Sequence, residues 1–78
     1  MFTLQPVETV APGTLVMFGM DAETLVMVVS NRPCHIRTGL GMVPARQVVY
    51  VLVEKPTWGP LVFIDESTEK QLCVLDAV

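Results

Sequence analysis

Arg32-Pro33-Cys34-His35-Ile36-Arg37-Thr38-Gly39-Leu40-Gly41-Met42-Val43-Pro44-Ala45-Arg46 holds every arginine of the chain and its one histidine, and contains no carboxylate. How this stretch is read decides the fold, because it separates two runs with strong strand character. Pro33, Gly39, Gly41 and Pro44 punctuate it, which predicts one long connection, with a segment such as His35 to Thr38 forming a short strand at most. Ile36, Leu40, Met42 and Val43 set it apart from a solvated linker, which carries few apolar residues.

Downstream, Gln47-Val-Val-Tyr-Val-Leu-Val53 is the strongest strand in the chain. Its nearly unbroken apolar character predicts burial on both faces, so the second face has to meet a barrel interior or another subunit. Glu54 to Pro60 is rich in turn residues, Leu61-Val-Phe-Ile64 is a short strand, Asp65 to Lys70 is a polar turn, and Gln71-Leu-Cys-Val-Leu75 is the last strand. Upstream, the strands are Thr14–Phe18 and Glu23–Val29, joined by a hairpin connection at Met20-Asp21-Ala22. Met1 to Val10, interrupted by Pro6, reads as an arm or short edge strand. No segment keeps a 3.6-residue apolar period; one helical turn capped by Asp65 or Ser67 is the most helix expected. The chain is therefore read as one β domain, residues 1–78: a small five-stranded antiparallel barrel or compact sandwich with one long loop.

Pro12-Gly13-Thr14-Leu15-Val16-Met17-Phe18 leading into a hairpin, with a closing strand that ends Val74-Leu75-Asp76, resembles the layout of small five-stranded SH3-like β-barrel proteins. Many short accessory proteins encoded by bacteriophages share that look. The resemblance covers the strand layout over most of the chain and brings no catalytic residues with it. It implies a non-enzymatic binding protein, such as a phage anti-defence protein acting in the host cytoplasm. The arginine-bearing stretch is not part of the shared pattern.

Composition narrows the partners. The formal net charge is −3 and the pI near 4.8, which speaks against duplex nucleic acid, whose backbone needs a broad basic surface. No apolar run is long enough to cross a bilayer as a helix, and the N-terminus lacks a signal-peptide pattern, so a cytoplasmic protein is expected. Half the residues are hydrophobic, more than so small a domain can bury, so a homo-oligomer is expected. Two cysteines, Cys34 and Cys73, are too few for a disulfide framework and read as small hydrophobes.

The candidate ligand-binding residues are Arg32, His35, Arg37 and Arg46, with Trp58 as a stacking surface. Clustered guanidiniums without carboxylates suit a compact anion such as a nucleotide, and Gly39 and Gly41 would let backbone N–H groups approach it. The competing reading is a solvated loop whose arginines pair with Asp65, Glu66 or Glu69. The favoured reading of Trp58, though, is that it covers one end of the barrel. Asp65, Glu66 and Glu69 would face a basic partner protein, for instance a host protein that the chain blocks. No catalytic residues, metal ligands or cofactor loops are expected: adjacent Cys34 and His35 point to opposite faces of an extended chain and cannot share one ion well. The alternative function is structural, a virion or assembly component that uses its apolar strands as an oligomer interface.

Overall fold

The computed structural model describes residues 2–18, 24–66 and 70–75. Six strands form one antiparallel sheet: β1 (Phe2–Pro6), β2 (Leu15–Phe18), β3 (Thr24–Thr38), β4 (Gly41–Leu52), β5 (Leu61–Glu66) and β6 (Gln71–Leu75), in the order β1-β6-β2-β3-β4-β5. The all-β expectation holds. The five-stranded SH3-like barrel does not: the described residues form six strands, and the sheet stays open between its edge strands, β1 and β5. The N-terminal segment supplies the sixth strand, pairing along its length with β6 from Phe2↔Leu75 to Pro6↔Gln71. It tolerates Pro6 because it is an edge strand, where a missing N–H is harmless.

The largest correction concerns Arg32–Arg46. It is not a loop but the outer half of a β-hairpin, paired from Val26↔Leu52 to Thr38↔Gly41. The two prolines sit at Pro33↔Arg46 and Pro44↔His35, positions where the ribbon has no third strand for their missing donors to serve. The turn is only Gly39-Leu40. Thr38 Oγ1 accepts from the Leu40 N–H (3.1 Å) and donates to the Gly41 carbonyl (3.0 Å), and Gly41 takes φ +106°, a conformation that disfavours a Cβ. Near the base of the hairpin a bulge between Val28 and Ser30 leaves Val29 unpaired. There the Pro12-Gly13 turn docks, with the Gly13 N–H donating to the Val28 carbonyl (2.7 Å) and Gly13 at φ +92°.

One face of the sheet, here called inner, wraps around a short 3-10 turn at Val7–Thr9. Val7 and Val10 pack there with Val16, Val26, Val28, Val48, Tyr50, Leu72 and Val74 to form the core. Phe18, Tyr50 and Phe63 extend it as a three-ring cluster with centroids 5.0–5.7 Å apart. The outer face is apolar as well. Leu4, Cys73, Met17 and Leu25 lie side by side across four strands, and Met27↔Val51 and Val49↔Val62 continue the apolar surface across the rest. Nothing in the described residues covers it: Leu4 is 64% exposed, Met27 36% and Val62 52%. The expected two-faced burial of Gln47–Val53 is thus half met. Val48 and Tyr50 are buried on the inner face, whereas Val49 and Val51 are half-buried on the outer one.

Candidate functional site

The hairpin outruns its neighbours. β2 supports β3 only from Thr24 to Met27, and β5 supports β4 only from Ala45 to Tyr50. Beyond them, residues 33–38 and 41–44 form a two-stranded arm. At its end Leu40 is 97% exposed and Met42 59%. The alternation of the strands sorts the charged groups by face. His35, Arg37 and Arg46 share the inner-face side with Pro33, Met42 and Pro44; Arg32 lies on the outer side with Cys34, Ile36, Val43 and Gln47.

The four basic residues are therefore not brought together around one point. Arg32 Nη2 donates to Gln47 Oε1 at 3.2 Å on the outer side. Arg46 Nη1 donates to Asn31 Oδ1 at 2.8 Å on the inner side. Asn31 in turn donates from Nδ2 to the Val7 and Val10 carbonyls at 2.8 and 2.7 Å. Arg46 is thereby built into the joint that holds the N-terminal turn to the sheet. Arg37 and His35 stand exposed on the arm. Cys34 and His35 fall on opposite sides of β3, and both cysteines are free and half-buried.

The acidic candidates are at the end of β5. Asp65 is in register with Arg46 and pairs with Lys70 (2.9 Å) at the surface, and Glu66 is in register with Ala45. Glu69 and the proposed helical turn at Ser67 lie outside the described residues. A cavity of about 20 Å³, room for one water, lies among Val7, Arg46, Tyr50, Phe63, Asp65 and Lys70. Burial, and secondarily the Asp65 carboxylate, push the Tyr50 hydroxyl above its ordinary pKa. A larger hollow of about 370 Å³ lies at the other end of the hairpin, lined by Thr24, Leu25, Leu52, Glu54, Lys55 and Trp58. Trp58 does not cover the core. It sits 69% exposed in a 3-10 turn at Pro56–Trp58, with Lys55 Nζ 4.3 Å above its ring. It is placed far along the sheet from the arm, so it cannot stack on a ligand held by Arg37.

Sequence reasoning named the basic residues but missed what joins them, a continuous ribbon rather than a loop. It also missed Asn31, and it saw a second apolar face only on Gln47–Val53 rather than across the whole sheet. A signal for the latter was present: Leu15 and Met17, Leu25 and Met27, Val49 and Val51 are apolar at the positions that alternate with core residues. No protein-family profile, curated protein or solved structure matches the chain.

Proposed function

We propose that this chain is a non-catalytic binding protein that engages an anionic partner surface through the β3–β4 arm. One observation carries the reading: the arm extends past every supporting strand, with Arg37 and His35 on its flank, Leu40 and Met42 exposed at its end, and no carboxylate between residues 32 and 46. An exposed apolar end with a cationic flank suits contact with a protein surface, where the apolar residues give buried area and the charges give orientation. An enclosed nucleotide site would need the arginines to converge, and Arg32 stands on the side opposite Arg37 and Arg46. A phage accessory protein that blocks a host protein is one setting for such a module. A second reading, an assembly component, is favoured by the apolar outer face.

The test is affinity capture from cell extract with the wild type and with an Arg37→Glu, Leu40→Asp variant, beside calorimetric titration with nucleotides and cyclic dinucleotides. The arm reading expects a specific partner that the variant loses. Nucleotide binding abolished by Arg37→Ala would replace it with the small-ligand reading. A partner retained equally by both proteins would end it.

A further inference from the structure

We infer that the outer face of the sheet is covered by a second copy of this chain, packed sheet on sheet. The inference is independent of the arm: it concerns the body of the sheet and a different partner.

The first support is area. The chain exposes 5541 Å², whereas surface scaling puts a monomeric globular protein of its 8.6 kDa mass at about 4,700 Å². The surplus of roughly 800 Å², which the protruding arm shares with the open outer face, is of the order of one partner's share of a standard stable interface, about 800 Å². The second support is chemistry. The centre of the outer face, from Leu4 through Met17 and Met27 to Val49, carries no charged side chain. Apart from Ser30, which is in register with Val49, its polar groups lie toward the margin, where Arg32 is hydrogen-bonded to Gln47 and Glu66 ends β5. An apolar centre with a polar rim is the anatomy of an obligate contact. An uncharged face is also complementary to itself, and two such faces stack about 10 Å apart with their side chains interleaved. A bilayer surface is the weaker fit. Arg32 is the only cation that the pairing puts on this side of the hairpin, Glu66 lies on the same side, and the net charge is −3.

Met27→Lys tests the inference, because Met27 lies centrally on the face and is already 36% exposed in the single chain. Lysine there should leave the fold intact, which the far-UV spectrum checks, while burying a charge in the contact. The experiment measures sedimentation equilibrium of wild type and variant, with thiol-labelling rates of Cys73, which lies on the same face beside Leu4 and Met17. The expected result is a wild-type dimer or larger oligomer whose dissociation constant rises at least 100-fold in Met27→Lys. Labelling of Cys73 should be slow in the concentrated wild type and fast on dilution or in the variant. Arg37→Glu, which tests the arm, should leave both readouts unchanged. A wild-type monomer at millimolar concentration overturns the inference. So does an oligomer indifferent to Met27→Lys whose Cys73 labels at the monomer rate, since that assembly would use the open β5 edge. Binding of the monomer to phosphatidylserine vesicles, lost in Met27→Lys, would assign the face to a membrane instead.

Discussion

Asn31 joins three parts of the chain at once. Its amide nitrogen serves the Val7 and Val10 carbonyls and its oxygen receives Arg46. The 3-10 turn that fills the core is anchored at both ends by this one side chain, aided by the Val7 N–H donating to the Lys70 carbonyl at 3.0 Å. Asn31→Leu removes all three bonds and leaves two carbonyls and a guanidinium without their partner. It should cost roughly 2–4 kcal/mol of stability. Asn31→Asp keeps an acceptor for Arg46 but turns a carboxylate toward two carbonyls, so it should lose most of the same amount; Arg46→Ala should lose less, because the turn stays tied. Urea denaturation of the three variants checks the ranking. Tyr50 adds a pH signature. Its pKa is raised in the folded chain, by burial first and by Asp65 second. The neutral phenol therefore favours folding, and that stability is complete below the unfolded pKa of about 10. Above it, stability should fall by about 1.4 kcal/mol per pH unit until the folded pKa is passed. In urea midpoints measured from pH 8 to 11, Tyr50→Phe should lack this component of the fall; equal declines in both proteins would remove Tyr50 as its source.

At the scale of the element, the β3–β4 arm has no third strand beside it. A two-stranded ribbon is marginal in water without a third strand or a packed face, and this one has neither beyond Pro33 and Pro44. In hydrogen exchange of dilute protein, amides of residues 34–43 should therefore exchange orders of magnitude faster than those of Val26 and Val28. Gly41→Ala should widen the gap, because the turn holds that residue at φ +106°. Uniform protection along the hairpin would show that the arm is held by something else. The arm also marks how far the sequence was legible. Strand runs such as Gln47–Val53 and Gln71–Leu75 were plain from β-branched residues between turn signals. The arm was not, because Pro and Gly read as breakers while their effect depends on where the missing N–H would have pointed. Proline on an unpaired edge costs the ladder nothing. The arginines were legible as a cluster along the chain but not in space, since a continuous strand sends neighbours to opposite faces. Trp58 was misread for a related reason: its turn residues were clear, yet the direction of the turn depends on where β4 ends.

At the scale of the whole molecule, the described residues of this 78-residue chain form one open sheet with a small core of valines, Leu72 and Tyr50 on its inner face. Chains of this size bury a low fraction of their surface and are marginal alone, and here an apolar face of comparable extent is left over. If a second copy covers it, folding and association become one equilibrium, and stability depends on concentration by mass action. The size of the effect follows from the unfolding enthalpy. At about 0.7 kcal/mol per residue near 60 °C, two chains absorb on the order of 110 kcal/mol. For a dimer that unfolds as it dissociates, each tenfold rise in concentration should then lift the melting temperature by roughly 5 °C. A dilution series followed by circular dichroism from 1 to 100 µM measures the slope directly. Met27→Lys should flatten it, with a melting temperature near the dilute limit of the wild type. A wild-type melting temperature that is constant over the series would mean that the inner core suffices by itself, and that the outer face contributes nothing to the stability of the fold.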